Sequence, residues 1–364
     1  MKRALTSALA VSLSAGTAMA GGLDRSGQGI NIIFEEGNVI QANIAYTTPK
    51  VSGRTELLGG SNSGDIANSF VTPHLAYKHS FSDNLDVAII YDRPFGADVD
   101  YSSTYLLSTG GPGNLSAKAD VDALTALVRY KFDNNISLIG GLRGQRTTAT
   151  VNVPITGGYN VKTNAPIDFG YVVGAAWEKP EIAARVSLTY NSAITHDFNQ
   201  TETLATAGIV EDTTSQIKTP QSVNLDFQTG VAPKTLLFGT VRWVNWSDVV
   251  YDPPNYPQPT PLVSYADDTI TYSLGLGRQI TDQFSGAFVL GYERTTGSTQ
   301  SNLGPTDGFF SVGLAGTYQM ENAKLSGGVR YTWIGNAVTD PPVSARFENN
   351  DALSVGLQLT YYLN

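Results

Sequence analysis

The sequence predicts an all-β protein, an antiparallel transmembrane β-barrel of about 14 strands with a short N-terminal plug segment inside. Three observations lead there. Polar and apolar residues alternate with period 2 over long stretches. These stretches are long enough for a tilted strand to cross a bilayer, about 9–11 residues. The connections between them alternate between short and long along the chain, as turns and loops do on the two rims of an outer-membrane barrel.

Composition agrees. Charged residues make up 15% of the 364-residue chain, against about 25% in an ordinary soluble domain. The chain has 37 Gly, 18 Tyr and no Cys, so neither a disulfide scaffold nor a thiolate metal site is expected. A net charge of −9 argues against nucleic acid, whose phosphates need clustered Lys and Arg.

Taken in order, residues 1–20 read as a secretory signal. Lys2 and Arg3 are its basic start, residues 4–17 its weakly apolar middle, and Ala18, Met19 and Ala20 a small-residue cleavage site. The mature chain then begins near Gly21. No later run approaches the roughly 18 apolar residues of a membrane helix. An exported chain that crosses a bilayer without such a helix must do so as a closed sheet, because only helices and barrels satisfy their own backbone there. The expected location is the bacterial outer membrane, among its lipid and lipopolysaccharide.

Residues 21–37 precede the first strand and read either as a flexible leader or as a short hatch. The apolar group Ile30, Ile32, Ile33 and Phe34 favours a plug folded into the barrel. The barrel itself is expected over 38–364. Strands are expected near 38–48, 69–81, 84–95, 117–132, 135–150, 165–178 and 181–193. The second half supplies 219–232, 235–249, 266–280, 283–296, 306–320, 323–336 and 349–363. The pair 219–249 shows the pattern most clearly. Val223, Leu225 and Phe227 alternate with Asn224, Asp226 and Gln228. After the turn at Ala232, Pro233 and Lys234, Leu237, Gly239, Val241 and Trp243 alternate with Thr240 and Arg242. An even count and a periplasmic N-terminus put the short turns in the periplasm and the long loops outside. Tyr46, Tyr77, Tyr130, Trp177, Trp243, Trp246, Tyr292, Tyr331 and Trp333 sit near strand ends, where aromatic girdles form. The chain ends Tyr361, Tyr362, Leu363, Asn364, without the terminal aromatic of many such barrels; Tyr362 is the nearest substitute.

Facing apolar residues to lipid places the alternate positions inside. Arg143, Gln145, Arg185, Asn191, Asn224, Asp226, Arg242, Glu293, Lys324 and Arg330 then line the lumen. A lipid-facing Arg would cost about 2–4 kcal/mol at the midplane. Such an interior reads either as ion pairs bracing the wall or as a basic station for an anionic head group, with Arg143, Arg185, Arg242 and Arg330 as its candidates. The histidines, His74, His79 and His196, are accompanied by no serine-hydrolase motif, so catalysis is not expected. No metal or cofactor is expected either. The acidic pairs Asp98/Asp100, Asp120/Asp122 and Asp267/Asp268 read as solvated rim residues, with cations bridging lipopolysaccharide as the sharper alternative. The run from Asp252 to Pro261, with Pro253, Pro254, Pro257, Pro259 and Pro261, reads as a stiff extended loop.

Four stretches carry a resemblance. Thr219, Pro220, Gln221, Ser222 and Val223 open one strand, and Val241 to Ser247 close its partner. Tyr91 to Asp98 surround Pro94 at a strand end, and Leu303, Gly304, Pro305, Thr306 and Asp307 precede Phe309. In their order, and over a chain from about residue 22 onward, they resemble the FadL-type (OMPP1/FadL/TodX) outer-membrane transporters of long-chain fatty acids and other hydrophobic compounds. The resemblance implies a barrel closed by an N-terminal hatch, a hydrophobic groove reached from the loops, and lateral release near a kinked strand. Pro94, which cannot donate to a ladder, is the candidate for that kink. The hatch here is shorter than the family's and lacks its Asn-Pro-Ala stretch. The expected function is passive transport of hydrophobic molecules, foremost long-chain fatty acids. Loops 96–116 and 194–218 would capture cargo through exposed Tyr105, Leu106, Leu107, Leu204 and Ile209. A general porin for small polar solutes is the alternative, and an adhesin displaying the long loops a third reading. Oligomeric state is open.

Overall fold

A computed structural model describes residues 23–57 and 60–363. The signal at 1–20 and the first two residues of the 21–37 segment lie outside the described residues. The barrel has fourteen strands, labelled here β1 to β14. They are β1 (Asn38–Lys50), β2 (Phe70–Ser80), β3 (Leu85–Asp100), β4 (Ser116–Lys131) and β5 (Ile136–Val153). Then come β6 (Ile167–Lys179), β7 (Ala184–Asn191), β8 (Ser222–Ala232), β9 (Thr235–Val244) and β10 (Thr269–Gln279). Last are β11 (Phe284–Glu293), β12 (Phe309–Gln319), β13 (Ala323–Ile334) and β14 (Asn350–Leu363). Each pairs antiparallel with the next, from β1 with β2 to β13 with β14. β14 returns to β1 in unbroken register from Asn38↔Leu363 to Lys50↔Asp351. Closure leaves no edge, which a bilayer demands.

The period-2 reading of the faces holds. Ile44, Leu75, Leu124, Leu142, Leu188, Leu314 and Leu357 are exposed on the outer wall, while Thr47, Lys78, Arg143, Ser187, Asn191 and Ser354 are buried inside. The exposed girdle includes Tyr46, Tyr77, Tyr130, Trp177, Tyr292, Tyr331 and Trp333. Trp246 is a correction: β9 ends at Val244, and Trp246 starts a short 3-10 turn that buries its ring to 1% exposure. It packs edge-on to Phe95 at 5.5 Å. At the C-terminus Tyr361 faces outward, whereas the Tyr362 hydroxyl donates inward to Glu35 at 2.7 Å.

The larger correction concerns the long connections. Residues 194–218, expected as a loop, form a hairpin of Ile194–Leu204 and Ile209–Thr219. Within 151–164, a 3-10 turn at Pro154–Thr156 leads to a strand at Tyr159–Thr163, which pairs with the hairpin. A three-stranded sheet joins Gly53–Thr55, Ala345–Phe347 and Ala337–Val338. Together these cover the outer end of the barrel with an apolar core that includes Ile66, Tyr101, Tyr105, Tyr159, Phe198, Tyr251, Leu262 and Phe347. Full burial of a large apolar side chain contributes about 1.5–3 kcal/mol. The loops are therefore a folded cap.

Candidate functional site: the lumen and its N-terminal segment

Residues 23–37 run inside the barrel. Gly27 (φ 67°) and Gln28 (φ 54°) turn the chain, and Asn31–Phe34 form a single 3-10 turn. Gly37 (φ 68°) supplies the left-handed conformation that redirects the chain into β1. Of the expected plug residues, Ile30, Ile32 and Ile33 are buried against Ala76, Ala88, Ile90, Leu127, Ile139 and Val172 of the wall. Phe34 lies between two guanidinium groups, Arg185 at 4.3 Å and Arg129 at 4.7 Å from its ring centre. The Glu35 carboxylate accepts from Lys324 at 3.3 Å as well as from Tyr362.

The wall is interrupted where Pro94 stands. β2 starts at Phe70, yet its pairing with β3 reaches only His74↔Asp92. On the other side of β3 the register with β4 shifts between Asp92 and Phe95. Pro94 has no N–H to offer, and a bulge is where a strand accommodates that. The N-terminal segment fills the interruption from within. Arg25 N donates to Pro94 O and Gly96 N donates to Leu23 O, both at 2.8 Å. Arg25 Nε donates to Gly96 O at 2.9 Å, and its guanidinium lies 3.3 Å over the Phe70 ring. A Cβ at Gly96 would come 3.2 Å from Ala119 O and 3.4 Å from Arg25 Nε, so glycine eases the approach of the segment. Ser26 Oγ donates to the Asp92 carboxylate.

The lumen arginines have different surroundings. Arg242 is engaged with the segment itself: Nε donates to Asp24 Oδ2 at 2.6 Å, and Nη2 to Asp24 Oδ1 at 3.2 Å and to Gln28 at 3.0 Å. These bonds make Arg242 an anchor for the segment at the border of a cavity. Arg143 donates to Thr125 at 2.8 Å and Asn191 at 2.9 Å, deep in the wall. Arg185 and Arg330 border a cavity of about 220 Å³ between the segment and the wall, together with Arg25, Glu35, Asp226 and Arg242. Arg25 is buried to 5% exposure, and its Nη1 has no hydrogen-bond partner among the described residues. A buried donor left without a hydrogen bond is costly; the Asp98, Asp120 and Asp24 carboxylates favour the charge of the group as a whole, and the cavity lies beside it.

Arg25 is the residue the sequence reading missed. Its signal was the polar run Asp24, Arg25 and Ser26 just ahead of the apolar hatch residues. Nearer the short turns, Lys78 and Lys131 pair with Asp86 at 2.9 and 3.1 Å, and Arg129 pairs with Glu178. This is the network of ion pairs bracing the wall that the charged lumen led one to expect.

The expected capture residues divide. Tyr105 is fully buried, not exposed, and stacks on Tyr101 at 4.7 Å. Burial pushes its hydroxyl up to about 12. Leu106, Leu107 and Leu204 are half-buried, and Ile209 is exposed at the hairpin turn. The cap's core claimed Tyr105, Leu107 and Leu204, which only the folding of the loops could decide. His196, enclosed in the cap, meets Asp168 through Nδ1 at 2.9 Å and Thr147 through Nε2 at 3.2 Å, so it clasps the hairpin to β5 and β6. Among the described residues, no group of three or more His, Asp or Glu side chains is placed to hold a metal ion.

Comparison with known proteins fits this geometry. A family model described as "Outer membrane protein transport protein (OMPP1/FadL/TodX)" matches residues 27–284. The fold is similar to the crystal structure of a Pseudomonas aeruginosa FadL homologue, at 14% identity and a TM-score of 0.78, over 99% of this chain and 100% of that one. It is also similar to the Pseudomonas putida toluene transporter TodX, at 12% identity and a TM-score of 0.65, over 91% of each chain. The Ralstonia pickettii toluene transporter TbuX gives 10% identity and a TM-score of 0.66, over 96% and 97%. No curated protein sequence matches the chain.

Proposed function

The chain belongs to the OMPP1/FadL/TodX family of outer-membrane transport proteins, and from that premise we propose that its cargo is long-chain fatty acids. Membership places it in the bacterial outer membrane as a passive transporter of hydrophobic molecules, not an enzyme. The observation that carries the finer reading is Arg25, which borders one cavity with Arg185 and Arg330 and whose buried Nη1 makes no hydrogen bond among the described residues. A neutral hydrocarbon has no use for guanidinium groups, whereas a carboxylate takes them two donors at a time.

The same arginine links binding to release. Its Nε and its stacking on Phe70 hold the N-terminal segment across the wall interruption. A carboxylate that draws the guanidinium into the cavity loosens that hold, and the interruption at Pro94 becomes a sideways exit into the membrane. Ile30, Ile32 and Ile33, fixed to the wall, keep the rest of the segment in place meanwhile.

Growth on oleate tests the reading, in a Gram-negative strain lacking its own fatty-acid channel but carrying this protein. Rescue is expected, and Arg25→Gln should weaken oleate binding about tenfold or more, the scale of a lost charge-assisted hydrogen bond. No rescue from a barrel confirmed as folded at the surface would remove long-chain fatty acids. The second reading is a monoaromatic hydrocarbon, favoured by the likeness to TodX and TbuX, both described as toluene transporters. Toluene uptake that ignores Arg25→Gln would select it.

A further inference from the structure

The outer mouth is covered by a packed apolar cap in this structure. Its apolar core draws side chains from every long connection, Tyr101 and Tyr105 from one, Tyr159, Phe198, Tyr251, Leu303 and Phe347 from others. A cargo arriving from outside therefore needs one of these connections to move. Most are fixed by backbone ladders: the 53–55, 337–338 and 345–347 strands to one another, and the 159–163 strand to the 194–219 hairpin.

Residues 252–261 are held differently. Tyr251 pairs with Val263 and Val250 with Ser264, a two-rung clip at the base. Beyond it Pro253, Pro254, Pro257, Pro259 and Pro261 have no N–H with which to join a ladder. Among the described residues, the hydrogen bonds that tie this span to the rest of the protein come from Asn255 alone. Its N donates to Glu202 Oε2 at 3.1 Å, and its Nδ2 donates to Glu211 Oε2 at 3.0 Å. The Tyr256 ring rests on Tyr159 at 5.1 Å.

The receiving carboxylate is built for the purpose. Glu202 is buried to 1% exposure. Tyr159 donates to it at 2.6 Å, Thr213 at 2.5 Å and Gln200 at 3.2 Å. An acceptor-only group so fully supplied stays in place whether or not Asn255 is present. The catch is fixed and the strap is stiff, and its hydrogen bonds to the rest of the protein come from one residue. We propose that the proline strap 252–261 is the outer lid of the transporter, latched by Asn255 on Glu202 and Glu211, and that its release opens the mouth to hydrophobic cargo. The lid rests on the transport reading, but its motion is measurable without any cargo.

The chain has no cysteine, so a single introduced thiol reports cleanly. Leu262→Cys lies at the C-terminal end of the strap, where Leu262 points into the cap core and is 5% exposed. Ala345→Cys lies in the laddered part of the cap, where Ala345 is 0% exposed. In the native barrel a bulky maleimide should label position 262 at least tenfold faster than position 345, and Asn255→Ala should raise the 262 rate tenfold further. Equal rates at the two positions, unchanged by Asn255→Ala, would overturn the lid. A second arm places cysteines at Asn255 and Glu211 and bridges them with a reducible bis-thiosulfonate reagent. Uptake should fall at least tenfold on bridging and return on reduction; parent-level uptake by the bridged barrel sinks the proposal. If the parent carries neither oleate nor toluene, the cargo reading fails while the labelling contrast still decides the lid.

Discussion

Asp24 and Arg242 show how one residue pair holds a whole segment. Both are buried, and removing one partner of such a pair leaves an uncompensated charge that costs about 3–5 kcal/mol. Asp24→Ala is therefore expected to release residues 23–28 from the wall while the barrel stays folded. Hydrogen exchange at the Arg25 amide, which donates to Pro94 O, and at the Gly96 amide, which donates to Leu23 O, should speed up by orders of magnitude. The double change Asp24→Ala with Arg242→Met should recover much of the protection, because the stranded charge is gone. If the single variant keeps parent-like protection, the pair is not the anchor. Arg242 was legible in the sequence as an inward arginine, but its partner was not, since a separation of 218 residues has no local signature.

At the level of elements, the fourteen strands were all legible because burial on one face and lipid on the other imposes a strict period of 2. The interruption beside β3 was only half legible. Pro94 announced that a ladder bond is missing; it could not say that Leu23, Asp24 and Arg25 would occupy the place. Asp24 faces Phe95 as an isolated antiparallel bridge, which brings cysteines at these two positions within disulfide reach. Oxidising that pair should pin the segment across the interruption and cut release of bound oleate about tenfold or more, with reductant restoring it. Unchanged release from the oxidised barrel would move the exit elsewhere, to the periplasmic end. The hairpin at 194–219 was missed for a different reason. Its first arm alternates Ile194, His196, Phe198, Gln200 and Glu202 on the buried side, so polar residues blur the contrast that marks a membrane strand.

For the molecule as a whole, an occupied lumen under a folded cap separates a transporter of hydrophobic compounds from an open pore. Vesicles carrying the protein should resist sugar-driven swelling, and deleting the segment up to Phe34 should raise sugar permeation only in combination with a broken strap latch. Free swelling of vesicles with the intact protein would return the general porin to the front. The bracing network around Asp86 should keep both changes compatible with a closed barrel, checked by its retained β signature and heat-modifiable migration.

Residue patterning alone fixes the barrel, its strand count, the gathering of short turns and long loops on opposite rims, and which residues face inward. All of these follow from a local rule, since a strand between lipid and lumen repeats its environment every second residue. The tertiary structure alone decided which inward charges meet, what fills the wall beside Pro94, and whether the loops are open or packed. Those outcomes depend on side chains hundreds of residues apart competing for the same buried partners. Arg25 and Asn255 are ordinary polar residues until the fold brings Phe70 and Gly96 to the one, Glu202 and Glu211 to the other.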